Sequence, residues 1–181
     1  APSQAPWQRA RRGRAGAGTL GVLLEGRLAE VAARAAELIA LLRGDAATTD
    51  ARPWWWGRYP FGPDDVALRV AVPIADLHAA VYALRDAAGM PVPVRGRAGV
   101  GEVYAALPGG ASSERIAAIL AAVRGVLLGR GGSCAVLYAP GRLRVDVDLW
   151  GNLPSPERLR QAKERFDPDY RLAPGRYPGG V

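Results

Sequence analysis

Over residues 66–139 the apolar side chains switch repeatedly between a two-residue period and a three-to-four-residue period, and this rhythm constrains the chain more than any other feature. Residues 66–72 read as a strand. Leu77, Ala80, Val81, Leu84 and Ala88 then mark one face of a helix, with Pro73 before it and Gly89 to stop it. Residues 91–97 and 102–107 alternate as two strands joined by Ala98-Gly-Val-Gly101, where glycine suits a positive φ. Ser112 or Ser113 can cap the next helix, whose Ile116, Ile119, Leu120, Val123 and Leu127 share a face. Gly129 and Gly131 close it, and residues 133–139 form a last β-type run. The order is β-α-β-β-α-β, the split βαβ of a ferredoxin-like α+β unit with an antiparallel sheet.

The flanks extend this unit. Residues 18–26 (GTLGVLLEG) are expected to form an extra N-terminal strand. Residues 27–43 follow as an amphipathic helix through Leu28, Val31, Ala35, Leu38, Ile39 and Leu42, with Glu30 placed to pair with Arg34 and Gly44 to end it. Residues 45–65 form a long structured loop. At the other end, Leu143, Val145, Val147 and Leu149 alternate with charged residues and predict one more strand. Ser155 and Pro156 open a helix with Leu159, Ala162 and Phe166 on one side. Residues 166–181 are too rich in proline and glycine for regular structure and are expected to lie extended on a surface. The expected domains are a basic flexible arm (1–17), a ferredoxin-like domain (18–153) and a C-terminal helix and tail (154–181).

Hydrophobic residues make up 49% of the 181, enough for one real core and too many for a disordered chain. The net charge is +7, and four of those charges come from Arg9, Arg11, Arg12 and Arg14, ahead of the first acid, Glu25. A basic arm can bind phosphate by counterion release, but this one is short, glycine- and alanine-rich, and carries one aromatic, Trp7. A solvated terminus is the better reading, and nucleic acid is not an expected partner. No uncharged stretch exceeds 11 residues, against about 18 for a membrane helix. No signal peptide is recognisable, and the chain, which lacks an opening methionine, reads as a processed or truncated product. One cysteine, Cys134, excludes an internal disulfide and a cysteine-rich zinc site.

Several motifs tempt. Gly16-Ala-Gly-Thr-Leu-Gly21 fits G-x-G-x-x-G, but the arm precedes it and a strand follows, so no helix N-terminus is available for a pyrophosphate. His78, the lone histidine, shares a helix side with Tyr82 and Arg85 and reads as a surface residue. Cys134 lies in an apolar strand, as a buried inert thiol would. Asp146 and Asp148 would share a strand face, yet no third ligand stands at useful spacing, and no metal site is expected. Arg95 and Arg97 share a face, with Arg69 on another strand; such a cluster either holds a carboxylate by forked hydrogen bonds or makes structural ion pairs. Trp54, Trp55, Trp56, Tyr59 and Phe61 put five large aromatics within eight residues. A pocket wall, a docking surface and a local core plug all remain open for them.

The segment Lys163-Glu-Arg-Phe-Asp-Pro168 followed by Leu172-Ala-Pro-Gly-Arg176 resembles the lysine, Phe-Asp-Pro, Asn-Pro-Gly-Arg ending of FAD-linked oxidases of the vanillyl-alcohol-oxidase type. The Asp148-Leu-Trp-Gly151 turn, Pro60-Phe61, Ala71-Val-Pro73 and the hairpin about residues 96–101 are similar to the FAD-binding subunit of glycolate oxidase. Residues 21–181 follow that family's order, with Ala173 where the family usually has asparagine.

The resemblance implies a ferredoxin-like cap over a flavin held mainly by an N-terminal domain that this chain does not carry. It further implies oxidation of a 2-hydroxy acid such as glycolate: hydride passes from the α-carbon to FAD, a base takes the hydroxyl proton and a cation holds the carboxylate. The implied substrate-pocket residues are Trp54, Trp55, Arg58, Tyr59, Phe61 and Arg69, with Arg58 and Arg69 as carboxylate binders and no base identified. The implied FAD contacts are Pro174, Gly175 and Arg176. Expected partners are the substrate and the other subunits of a glycolate-oxidase-like complex, an iron–sulfur subunit among them. The expected location is cytoplasmic, with peripheral membrane attachment through those subunits. The fragment alone is expected to be inactive. The alternative is a stand-alone ferredoxin-like binding module without catalytic activity, or an orphaned remnant.

Overall fold

The computed structural model describes residues 18–43, 46–143, 146–152 and 155–175. The basic arm, Gly44, Arg144, Val145 and Arg176 therefore lie outside the described residues. The chain divides into two units, Ala1–Arg58 and Tyr59–Val181, so the boundary falls inside the aromatic block that sequence alone treats as one loop.

In the first unit, helix α1 spans Leu28–Leu41, and the anticipated Glu30–Arg34 pair forms at 3.7 Å on its exposed side. The strand expected over residues 18–26 does not form. Gly21 is instead seated against the indole rings of Trp55 and Trp56, so close that a side chain there would press on them, and Val22 and Leu23 are about half exposed. Leu20 is likewise exposed, and no strand forms among the described residues of this run. Around those rings the chain makes two overlapping turns, Trp56 N–H to Pro53 O and Arg58 N–H to Trp55 O.

In the second unit, β1 (Asp65–Ala71), α2 (Leu77–Ala88), β2 (Val94–Arg97), β3 (Glu102–Pro108), α3 (Ser113–Leu128) and β4 (Ser133–Tyr138) follow in the β-α-β-β-α-β order. The strands form one antiparallel sheet in the order β2-β3-β1-β4. The fold is thus α+β and compatible with a ferredoxin-like arrangement. Local chemistry explains the boundaries. Gly89 ends α2 in the left-handed conformation, its N–H bonded to the carbonyls of Arg85 and Asp86. The side chain of Ser112 accepts the Arg115 N–H and so caps α3. Gly101 closes the β2–β3 turn at a φ of 68°.

One sheet face carries the core. Val66, Leu68 and Val70 of β1, Val103, Ala105 and Leu107 of β3, and Cys134 and Val136 of β4 pack with Ala80, Leu84 and Ala88 of α2 and all five predicted positions of α3. Each large side chain taken fully from water in this layer contributes roughly 1.5–3 kcal/mol. Cys134 belongs to this layer, and burial pushes its thiol up to about 11, which makes it chemically quiet at neutral pH.

The strand predicted through Leu143 and Leu149 is replaced by a single helical turn, Gly141–Leu143, and irregular chain. Leu143 and Val147 still reach the core, so the apolar positions were legible while the backbone was not. Pro140 starts a turn by accepting the Leu143 N–H, and the Asp148 carboxylate captures the amides of Trp150 and Gly151. Asp146 is instead bonded by Ser113 and Asp148 by Arg124, so the two carboxylates have separate partners.

Helix α4 (Pro156–Phe166) forms as expected, but it has no buried residue and Phe166 is 78% exposed, so the anticipated apolar side does not face a core. Beyond it the tail is folded rather than extended through residue 175. Asp167 is buried, ion-paired with Lys163 at 2.5 Å, and accepts the amides of Arg171 and Leu172; Lys163 also bonds the Leu172 carbonyl.

A methyl group on Gly101 would strike the Val72 carbonyl oxygen, and φ there is positive, whereas Gly125, inside α3, faces open space. Gly101→Ala is therefore expected to destabilise the protein by about 2 kcal/mol or more. Gly125→Ala is expected to stabilise it by roughly 0.5–1 kcal/mol. Urea unfolding midpoints of the two variants should move in opposite directions.

Candidate functional site

The second sheet face carries the polar chemistry. Side chains alternate along a strand, and the antiparallel register then sets which of them meet. Arg69 of β1 lies opposite Tyr104 of β3, which lies opposite Arg95 of β2. In the neighbouring row, Ala71 lies opposite Glu102, which lies opposite Arg97.

Glu102 is the centre of this group. Its residue is 6% exposed, and both carboxylate oxygens are taken. Arg69 donates to Oε2 through Nε at 2.7 Å and Nη2 at 2.5 Å. Arg97 Nη2 donates to Oε1 at 2.6 Å, and the Tyr104 hydroxyl donates to the same oxygen at 2.7 Å. Charge-assisted bonds of this kind are short and strong. Bonds from Arg97, Tyr104 and Arg69, in that order, hold the Glu102 carboxyl at about 2 against an ordinary 4.5. The Tyr104 hydroxyl is raised, chiefly because it donates to Glu102.

An aromatic wall adjoins the cluster. The Tyr59 ring stacks on Phe61 at 5.0 Å between centroids and meets Tyr104 edge-on at 4.8 Å. Arg95 Nη1 donates to the Tyr59 carbonyl, tying the wall to β2. The guanidinium side chains remain open outward, 47% exposed at Arg69 and 70% at Arg97. Two cations share one carboxylate, so this trio keeps a net positive charge on a surface bordered by rings.

Of the six implied pocket residues, the structure brings Tyr59, Phe61 and Arg69 into this one site. Trp54, Trp55 and Arg58 belong to the first unit, where Trp55 and Trp56 pack together at 6.1 Å. Of the two readings open for the arginine cluster, the internal ion pair is realised, with Glu102 as the carboxylate. Glu102 and Tyr104 were not singled out in sequence. A signal existed: once Gly101 closes the hairpin, counting back pairs Arg97 with Glu102 and Arg95 with Tyr104.

Of the implied flavin contacts, Pro174 and Gly175 form an exposed turn and Arg176 lies outside the described residues. Proline and glycine here bring only backbone groups. They can border a flavin but do not form a cradle for one. Ala173 adopts a φ of 44°, in the left-handed region where asparagine is several-fold enriched, so asparagine would fit this backbone better than alanine.

His78 is exposed beside Tyr82 as predicted. Among the described residues no three His, Cys, Asp or Glu side chains group to hold a metal ion, and no helix is long and apolar enough to cross a membrane. No family model, curated protein or solved structure matches the chain.

The depressed carboxyl of Glu102 has a stability consequence. A group whose folded pKa lies below its unfolded value stabilises the fold above the unfolded pKa and ceases to as pH falls through the folded one. Stability should therefore drop between pH 4.5 and about 2 through this residue. Glu102→Gln should flatten that part of the urea-midpoint profile, and an unchanged slope would contradict the assigned network.

Proposed function

We propose that this chain is the substrate-side cap portion of an FAD-dependent oxidoreductase that oxidises a 2-hydroxy acid such as glycolate. The observation that carries the reading is the open sheet face on which Arg69 and Arg97, braced by Glu102 and Tyr104, stand beside the Tyr59–Phe61 wall. Such a face matches a small carboxylate: guanidinium edges for the charge and rings for the carbon skeleton. The split βαβ order and the closing Lys163/Phe-Asp-Pro/Pro-Gly-Arg segment support it as well.

The oxidation itself belongs to the flavin. On this reading, polypeptide other than the described residues holds that cofactor, and the exposed turn at Pro174 and Gly175 meets its edge. This chain's share is binding and orientation. Arg69 and Arg97 hold the substrate carboxylate, the aromatic wall limits its rotation, and the α-carbon is thereby aimed away from the sheet. Fixing a reactant in this way is worth a large part of a catalytic barrier even where the chemistry lies elsewhere. Glycolate-oxidase-like partner subunits, including an iron–sulfur subunit, would receive the electrons.

The native complex, isolated through a tag on this chain, should carry flavin absorbance that bleaches on anaerobic addition of glycolate or another 2-hydroxy acid. A flavin-free complex would replace this reading with that of a stand-alone binding module, and a flavin-bearing complex inert to 2-hydroxy acids would overturn the substrate class. The purified chain alone, mixed with FAD and desalted, should retain no flavin; tight stoichiometric retention would overturn the placement of the cofactor outside the described residues.

A further inference from the structure

We infer that Glu102 is a positioning residue: it holds Arg69 and Arg97 side by side as a pre-formed site for a small monocarboxylate on the open sheet face. The site is that of the proposed function, and the identity of its ligand as a 2-hydroxy acid rests on that reading. The role of Glu102 does not.

The geometry makes the case. Arg69 and Arg97 stand on strands separated by β3, and like charge drives their side chains apart. Glu102 lies on the strand between and offers one oxygen to each, Oε2 to Arg69 and Oε1 to Arg97. Tyr104 fixes Oε1 from the second row, and its ring is held edge-on by Tyr59. The carboxylate is thus clamped from three sides, and it clamps in return two long side chains that would otherwise sample many rotamers. A guanidinium has five N–H donors, so bonding to Glu102 leaves others on each arginine turned to solvent. A ligand then meets donors already in place and is spared the ordering cost that a mobile arginine imposes. The same Glu102 charge lies directly beneath the ligand. It would repel a second negative group, which favours monoanions over dianions.

The alternative is that Glu102 merely neutralises two surface arginines. The two roles predict opposite signs. If Glu102 only neutralises, its removal frees positive charge and tightens anion binding; if it positions, its removal weakens binding despite the added positive charge.

The full chain should be titrated with sodium glycolate at constant ionic strength, followed by amide chemical shifts, with malate as the dianion control. The wild type is expected to show saturable shifts around Arg69, Arg97 and Tyr104, and weaker binding of malate. Glu102→Ala should weaken glycolate binding roughly tenfold, equivalent to about 1.4 kcal/mol. Glu102→Gln keeps the length and one acceptor oxygen and should fall between the two. Unchanged or tighter glycolate binding in Glu102→Ala, or no saturable binding by the wild type, would overturn the proposal. Ligand-free melting curves separate lost binding from lost folding. Should Glu102→Ala fail to fold, Glu102→Gln decides: weaker binding supports positioning, and equal or tighter binding overturns it. The titration contains no flavin, so a positive result beside a flavin-free native complex would keep the site and discard the oxidase reading.

Discussion

The pairing of Asp65–Ala71 with Glu102–Pro108 is the constraint on which the rest of the second unit depends. These are the two inner strands of the sheet, and a slip of one residue would turn every side chain to the opposite face. In the observed register Val66, Leu68 and Val70 meet the helices, and Arg69 emerges beside Tyr104. A slip would bury a guanidinium against α2 and α3 and expose three apolar residues, each change costing several times the thermal energy. The packing of the core therefore fixes which side chains meet on the polar face. Gly96 and Gly101 make this register possible at the β2–β3 hairpin. At Gly96 the backbone and side chain of Val103 leave no space for a Cβ, and at Gly101 the Val72 carbonyl does the same.

How much of this was legible follows from the range of each interaction. The two helices of the core layer, their glycine and serine termini, and the Ala98–Gly101 connection depend on residues a few positions apart, and periodicity with capping chemistry recovers them. The Glu30–Arg34 pair is of the same kind. The failures share a different cause. Residues 18–26 have strand-like composition, but a strand needs a partner edge, and at Gly21 the chain lies against the rings of Trp55 and Trp56. Residues 143–149 alternate as a strand would, yet Asp148 takes the amides of Trp150 and Gly151 for itself, the local competition by which aspartate favours turns over ladders. From β4, the Val136 N–H reaches the Leu149 carbonyl.

The site was legible by halves. In sequence Arg69, Tyr59 and Phe61 stand out by charge or ring, and Arg95 and Arg97 by sharing a face. What joins Arg69 to Arg97 is Glu102, and seeing it requires the β1–β3 register, a pairing across more than thirty residues. An acid beside a glycine turn attracts little notice in sequence. Once the sheet is assembled, that acid is the only negative charge among the five residues of the Arg95–Tyr104–Arg69 and Arg97–Glu102 rows, and bonds from Arg69, Arg97 and Tyr104 converge on it.

The tail shows how a local motif can carry shape rather than chemistry. Lys163 and Asp167 are one helical turn apart, and their pair, with the amides of Arg171 and Leu172, folds the chain back on the end of α4. Hydrogen bonding to Lys163 and to the Leu172 amide keeps the Asp167 carboxyl below its usual range, so the knot persists through neutral pH. Pro168 forbids further helix, and left-handed backbone at Tyr170 and Ala173 completes the reversal. An alanine at such a φ is strained where asparagine is tolerated, so a methyl group rather than an amide at position 173 weakens the last turn without redirecting it. The direction in which Pro174 and Gly175 project is set upstream, by Lys163 and Asp167. The course of the chain at this end is therefore fixed by those two residues more than by the side chain at position 173.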